Sequence, residues 1–411
     1  MSGAAAGGQV DRLTNAMKYA LILPDGAADE PTPELDGQTP LEAANIPNMD
    51  WVSTHGRQGT VVTVPRGFEA NTDVATMTVL GYDPRQYYTG RAPIEAVALG
   101  IELGPTDVVV RCNLVTIVDG EMIDFSAGHI ASPEAARIIE DLNEQVAPDG
   151  VRFYPGVSYR HLMVIKGGAD LRADCTAPHD IPNKPVARYL PKGRDGQRLR
   201  SIMDRAASML ADHEVNAVRR DLGESPATDI WLWGYGKRIS LPSFEERFGI
   251  QGGAITAVDV IRGLALAIGF ELIEVVGATG YLDTNYRGKG NAAVAALDDY
   301  DFVVVHVEAP DEAGHNGDAA AKVEALERID EHIVGPVLSR IRTFDRWKIM
   351  IAPDHPTPVL RRTHTATPPP FCMAGEGVVS VLARPFSEAN GRLSDLHCDP
   401  GYELIEYLLK K

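Results

Sequence analysis

The sequence predicts an α/β protein in which a mostly parallel sheet core carries a smaller, inserted α+β domain. Three observations lead there. Apolar, β-branched runs recur along the chain with helical patterns between them. Several of these runs are apolar throughout, as strands buried on both faces of a parallel sheet are. Between about residues 106 and 190 the runs become shorter and more alternating. A chain of 411 residues that is 44% hydrophobic also exceeds what one core usually accommodates, so a large domain with a smaller one is expected.

The elements follow in order. Residues 1–17 begin with Ser2-Gly3-Ala4-Ala5-Ala6-Gly7-Gly8 and read as a flexible leader, without the basic and apolar regions of a secretory signal. Core strands are expected at Tyr19–Leu23, Val61–Val64, Ile230–Trp233, Glu271–Val276, Phe302–Val307 and Lys348–Ile351. A helix from Thr256 to Ile268, capped by Thr256, follows Gly252-Gly253. A longer one runs from Asp318 to Ile341, where Val323, Leu326, Ile329, Ile333, Val337 and Ile341 form one apolar stripe. In the middle segment, strands are expected at Val108–Val115 and Leu162–Ile165. A helix there has Ser132 as N-cap and Pro133 at its first position. The polar run Pro191–Gly196 closes the insert, giving a core of 18–105 and 191–411 and an inserted domain of 106–190.

Composition excludes several functions. The formal charge of -18 argues against nucleic acid and anionic membranes as partners. No apolar run approaches the ~20 residues that span a bilayer. Cys112, Cys175, Cys372 and Cys398 show no CxxC spacing, which fits a reducing, cytoplasmic setting without zinc ribbons or structural disulfides. No glycine-rich nucleotide loop follows a strand.

Three segments stand out because each follows directly on a strand. Tyr19–Leu23 leads into Pro24-Asp25-Gly26. Phe302–Val307 leads into Glu308-Ala309-Pro310-Asp311, with His315 four residues on. Lys348–Ile351 leads into Asp354-His355, with His364 nine residues after His355. Ligands of open α/β sheets bind outside the carboxyl ends of strands, so these segments should converge at one edge. Three carboxylates and three imidazoles suit Zn²⁺ or Mn²⁺ better than calcium, which prefers oxygen.

Several blocks then resemble the archaeal-type cofactor-independent phosphoglycerate mutases and their bacterial relatives, some of which are proposed homoserine kinases. These are Leu23-Pro24-Asp25-Gly26-Ala27-Ala28-Asp29, Leu80-Gly81-Tyr82-Asp83-Pro84, Tyr88-Thr89-Gly90-Arg91-Ala92-Pro93 and Asp124-Phe125-Ser126-Ala127-Gly128-His129. Thr279–Tyr286, Glu308–His315 and Arg362-Thr363-His364-Thr365-Ala366 continue the series. The resemblance implies an alkaline-phosphatase-like core and two divalent ions, Mn²⁺, Zn²⁺ or Mg²⁺. Asp25, Thr72, Asp354 and His355 would hold one; Asp311, His315 and His364 would hold the other. It also implies interconversion of 3- and 2-phosphoglycerate through a phospho-enzyme.

In this family the nucleophile is a serine in a Gly-Ser-Asp-Val-Ala-Asn block. Here the block reads Asn71-Thr72-Asp73-Val74-Ala75-Thr76, so the resemblance assigns the role to Thr72. The same residue would also serve to cap the helix that follows. On the substrate side the resemblance points to His129 and Arg160, the latter as a forked carboxylate or phosphate clamp. Asp180 is expected to move a proton, with His179 and Lys184 in the same block; Arg91 and Lys289 are further anion contacts. The inserted domain would act as a cap that excludes water. A homoserine kinase-like phosphotransferase and a phosphomonoesterase use the same site with another acceptor. The oligomeric state is left open.

Overall fold

The computed structural model of the protein describes residues 17–410; the expected leader lies outside them but for Met17. The chain forms two compact units, one of Thr89–Ser240 and one built from the chain on either side of it. In chain order the strands are β1 (Lys18–Pro24) and β2 (Arg57–Val61), then β3 (Val108–Val118), β4 (Glu121–Asp124), β5 (Val151–Tyr154), β6 (Arg160–Ile165) and β7 (Asp229–Lys237). The chain then returns with β8 (Gly252–Ile255), β9 (Glu271–Leu272), β10 (Phe302–Val307), β11 (Trp347–Ile351), β12 (Pro370–Gly375) and β13 (His397–Cys398).

The flanking unit holds an eight-stranded sheet of order β13-β2-β12-β11-β1-β10-β8-β9. Its neighbours pair parallel, except β12 against β11 and β2. This is the mixed, mostly parallel α/β core that the uniformly apolar runs predict. All residues of β1 and of β10 are buried. Ala20, Ile22, Val303, Val305, Ile349 and Ile351 pack against Ile329, Ile333, Val337 and Ile341 of the long helical stretch. Each Val or Ile side chain among them contributes roughly 1.5–3 kcal/mol when removed from water. That stretch is less regular than its stripe suggests. It comprises helices Ala319–Ile329 and Gly335–Ile341 joined by a π-helical turn, Asp330–Val334. The Asp330 carboxylate in that turn accepts from the Asn48 and Met49 amides.

Other boundaries differ for local reasons. β2 ends where the expected Val61–Val64 strand begins, because its partners β12 and β13 stop pairing it at Thr60 and Val61. Only Glu271–Leu272 of the expected Glu271–Val276 strand pairs with β8. The helix expected from Thr256 is Asp259–Ala267 with Val258 at its N-cap. Ser132 starts the helix Ser132–Gln145 rather than capping it, and its hydroxyl accepts from the Ser158 amide.

The Thr89–Ser240 unit is an antiparallel sheet centred on β3, which pairs with β4, β6 and β7. It is wider than the expected 106–190. Ile230–Trp233 lies in β7 of this sheet, because β3 pairs with β7 as well as β6 and leaves no place for that strand in the core sheet. One face packs Val108, Val110, Cys112 and Leu114 against Ile138 and Leu142 and against Leu199 and Ile202 of helix Gly196–Leu210. The other face turns Arg111 and Asn113 toward Trp233, whose indole donates to Asn113 Oδ1 at 3.0 Å. Among the described residues no helix is long and apolar enough to cross a membrane.

Candidate metal centre

Parallel pairing of β1 with β10 and β11 places their carboxyl ends at one edge of the sheet. Asp25 follows β1, Asp354 and His355 follow β11, and the helix Ala309–Asn316 after β10 carries Asp311 and His315 one turn apart. Asp25, Asp354 and His355 have no exposed surface, and Asp311 is 4% exposed. The turn after β1 must be tight. Gly26 has φ +60°, and a Cβ there would lie 2.4 Å from Asp311 Oδ1, so only glycine fits. Its amide donates to Asp354 Oδ1 at 3.2 Å.

His355 organises the first cluster. Its Nε2 lies 3.3 Å from Asp25 Oδ1, 3.5 Å from Asp354 Oδ2 and 3.2 Å from Thr72 Oγ1. Its Nδ1 is 3.2 Å from Thr357 Oγ1, and that hydroxyl donates to Asp311 Oδ1. Thr357 therefore accepts from Nδ1–H, which leaves the Nε2 lone pair facing two carboxylates and a hydroxyl. Asp25 Oδ1 is buried and has no hydrogen-bond partner among the described residues. Such an arrangement of lone pairs in a desolvated site calls for a cation.

The second cluster makes the same demand. His315 Nε2 is 3.3 Å from Asp311 Oδ2, His364 Nε2 is 3.4 Å from Asp311 Oδ1, and the two imidazole nitrogens are 2.8 Å apart. Their Nδ1 atoms lie 3.2 Å and 2.9 Å from the carbonyls of Arg362 and Ala70. Nδ1–H donation to a carbonyl fixes the tautomer and aims Nε2 as a metal ligand. Two lone pairs facing each other over a carboxylate need a positive charge between them.

Electrostatics follow from this crowding. Burial, then the charges of Asp354, Glu308 and Asp311, push the Asp25 carboxyl well above its usual range. Burial also opposes charge on Asp311. Before a cation binds, protons on the His315 and His364 Nε2 atoms take its place; their hydrogen bonds to Asp311 and the imidazole charges prevail over burial and hold that carboxyl well below the usual range. The bond to Asp311 raises His315, whereas burial lowers His355. Ligand atoms of Asp25, Asp354 and His355 lie close enough to hold one cation and those of Asp311, His355 and His364 another, with His315 beside the second, so the mixed nitrogen and oxygen set fits divalent cations.

Thr72 is the first residue of the helix Thr72–Val79, with Asn71 as N-cap and no side-chain cap bond. It is therefore not the cap, and its buried hydroxyl is directed at His355 instead. Thr76, one turn on, donates to Asp354 Oδ2 at 3.2 Å.

Sequence reasoning passed over His306. Its Nε2 lies 2.8 Å from Asp25 Oδ2 and 3.6 Å from Glu308 Oε2, and its Nδ1 is 3.1 Å from Thr256 Oγ1. Burial lowers its pKa to about 3, so the ring is neutral. With Oδ2 engaged by His306, Asp25 turns Oδ1 toward His355. The available signal was a histidine inside the otherwise apolar Phe302–Val307 run. Lys289, expected to contact an anion, is 1% exposed and donates to the His306 carbonyl at 3.0 Å. Burial brings its pKa down to about 8 against the pull of Glu308.

The remaining candidates lie in the Thr89–Ser240 unit. His129 is exposed at φ +51° in a turn held by the Asp124 carboxylate, which accepts from Ser126 and Gly128. Its ring meets Tyr159 edge-on at 6.1 Å, and the exposed Arg160 guanidinium is 5.6 Å from the Tyr159 ring. His179 packs edge-on against Trp233 at 5.2 Å. Asp180 is exposed, and Lys184 donates to its main-chain carbonyl rather than its carboxylate. Arg91 donates to Glu95, as does the buried Arg111, which stacks on Trp233. Burial works against the Glu95 charge, but Arg111 and Arg91 keep its carboxyl below the usual range.

Comparison with known proteins places this geometry. A family model described as 2,3-bisphosphoglycerate-independent phosphoglycerate mutase matches residues 53–216. The chain is 48% identical over 394 residues to the enzyme of that name from Methanothrix thermoacetophila, covering 96% of this chain and 100% of the relative. It is 47% identical over 394 residues to a second from Methanothermobacter thermautotrophicus, with coverage of 96% and 97%. Among solved structures, a Pyrococcus horikoshii protein superposes with a TM-score of 0.81 at 27% identity, covering 96% of this chain and 97% of that one. A cofactor-independent phosphoglycerate mutase from Thermoplasma acidophilum gives 0.64 at 26% identity, covering 96% and 99%. On these matches the chain belongs to the 2,3-bisphosphoglycerate-independent phosphoglycerate mutase family.

Proposed function

We propose that this chain interconverts 3-phosphoglycerate and 2-phosphoglycerate, with Thr72 carrying the phosphoryl group between the two hydroxyls of glycerate. One observation carries the reading: the Thr72 hydroxyl, at the start of a buried helix, lies 3.2 Å from a histidine nitrogen that also faces Asp25 and Asp354. Asp25, Thr72, Asp354 and His355 would hold one divalent cation, and Asp311, His315 and His364 the other. When bound, these ions would activate the hydroxyl and offset charge on the transferring phosphoryl oxygens.

The residues themselves do the rest. Thr72 is β-branched and buried, so its χ1 is restricted and its hydroxyl stays aimed at the His355 side of the site. Transfer forms the Thr72 Oγ–P bond and breaks the phosphoester P–O bond; the proton lost from the Thr72 hydroxyl balances the one that the released glycerate oxygen takes up, with Asp180 proposed to pass protons at the glycerate hydroxyls. The reverse transfer places the phosphoryl group on the other hydroxyl. The start of the helix Thr72–Val79 favours the phosphate dianion through its dipole. In the second unit we assign His129, Arg160 and Asp180, with His179 and Lys184, to substrate contact, the Arg160 fork suiting a carboxylate. The acidic chain and its unbridged cysteines suit a reducing cytoplasm.

An enolase-coupled assay with added Mn²⁺, run beside p-nitrophenyl phosphate hydrolysis, tests this. Mutase turnover should dominate. Thr72→Ala should lower it by at least ~10⁴-fold in a folded protein, while Thr72→Ser retains substantial activity. Hydrolysis without mutase turnover would make the chain a phosphomonoesterase, and a fully active Thr72→Ala would remove Thr72 from the chemistry.

A further inference from the structure

We propose that the buried Lys322–Asp29 ion pair is a positioning device that holds the three ligand-bearing segments of the metal centre, two loops and a helix, at ligand spacing. Neither residue touches the proposed ions. Both side chains have no exposed surface, and the Nζ–Oδ2 distance is 2.7 Å. A fully buried pair is weak support for stability, since desolvation offsets most of the attraction, so its placement needs another explanation.

The contacts supply one. Lys322 lies on helix Ala319–Ile329, directly after the helix that carries Asp311 and His315. Its ammonium has three hydrogens and finds three acceptors: Asp29 Oδ2, the Thr357 carbonyl at 2.8 Å and the Ala28 carbonyl at 3.4 Å. Ala28 and Asp29 belong to the loop after β1 that presents Asp25. Thr357 belongs to the loop after β11 that presents Asp354 and His355. The Asp29 carboxylate completes the tie by accepting from the Val359 amide at 3.2 Å and the Glu30 amide at 2.8 Å.

Thr357 is the link between this pair and the ligands. Its amide donates to the Gly26 and Ala28 carbonyls, and its hydroxyl donates to Asp311 Oδ1 while accepting from His355 Nδ1. One residue thus connects Lys322 to a ligand of each cluster. The approach is close: a Cβ at Gly314, in the Asp311 helix, would lie 2.3 Å from the Thr357 carbonyl. An apolar pair could fill the same volume but could not fix two carbonyls and two amides from separate loops.

The inference rests on the two-ion reading of this site, not on the identity of the phosphoryl acceptor. Calorimetric titration of the full-length, metal-free protein with Mn²⁺ tests it. Lys322→Met, which keeps the aliphatic stem, should weaken Mn²⁺ binding by ~10–100-fold, the usual effect of losing a group behind the ligands. Thr357→Val should do the same. The double variant should be no weaker than the worse single one, because the Lys322 bond to the Thr357 carbonyl and the Thr357 hydroxyl act in series on the same ligands. A role confined to stability predicts instead a lower Tm in the metal-free variant with the Mn²⁺ Kd unchanged, and that result overturns the inference. Should Lys322→Met not fold, Asp29→Asn keeps the shape and must itself weaken Mn²⁺ at least tenfold; unchanged affinity overturns the inference equally. A wild type that binds no Mn²⁺ overturns the two-ion reading, whereas unchanged affinity in variants of a metal-binding wild type overturns this inference alone.

Discussion

At the carboxyl edge of the eight-stranded sheet, Asp25, Asp354 and His355 have no exposed surface, and Thr72, Thr76, His306 and Thr357 engage them at hydrogen-bonding range. In the Thr89–Ser240 unit, His129, Arg160, His179, Asp180 and Lys184 are all exposed, and Lys184 reaches only a main-chain carbonyl. On the proposed assignment, the difference reflects what each set has to bind. Ligands of a small divalent cation must be placed and desolvated before the ion arrives, because misplacement costs affinity directly. Side chains that meet an organic anion can stay solvated and order around it, at an entropic cost of about 0.5–1.5 kcal/mol for each long side chain.

If the contrast is right, substitutions in the two regions should separate affinity from folding. Arg160→Ala should raise KM for phosphoglycerate by roughly 10–100-fold, as expected for losing a charge-assisted fork, and leave Tm unchanged because the side chain is exposed. An unaltered KM would take Arg160 out of the substrate site. Glu388 sharpens the other side of the comparison with a smaller effect. It is buried in the sheet unit, where Oε1 accepts the Asp29 amide and Oε2 the Thr39 hydroxyl. Burial pushes its carboxyl up to about 6 from an ordinary 4.5. The folded value lies above the unfolded one, so its contribution to stability is complete below about pH 4.5 and is lost as pH rises through about 6. Denaturant titrations should show this as a loss of about 1–2 kcal/mol across that window, absent in Glu388→Gln. Equal slopes in both proteins would contradict the assignment.

The same contrast explains what could be read without coordinates. Asp25, Asp311, His315, Asp354, His355 and His364 stand at fixed offsets from apolar strands, and parallel pairing alone brings strand ends to one edge. Their convergence was therefore legible, as was the mostly parallel sheet. Thr72 was singled out only through resemblance, since nothing in a Thr-Asp pair before a helix separates a nucleophile from a cap. His306 and Lys322 were missed because each sits within a regular element and acts through tertiary contacts, with partners 281 and 35 residues away in sequence. Lys289, read as an anion contact, is buried and donates to the His306 carbonyl, a long-range placement that its sequence context does not announce. The insert boundary moved because β7 joins β3, a long-range pairing that no local composition change announces.

Metal content tests the account at its centre. After loading with Mn²⁺ and removal of free ion, elemental analysis should find two equivalents per chain in the wild type and in Arg160→Ala. His364→Ala should retain about one, since it strips a ligand from the Asp311 cluster while Asp25, Asp354 and His355 keep theirs. A folded wild-type protein that holds no manganese at saturation, or a His364→Ala variant that keeps both equivalents, would contradict it.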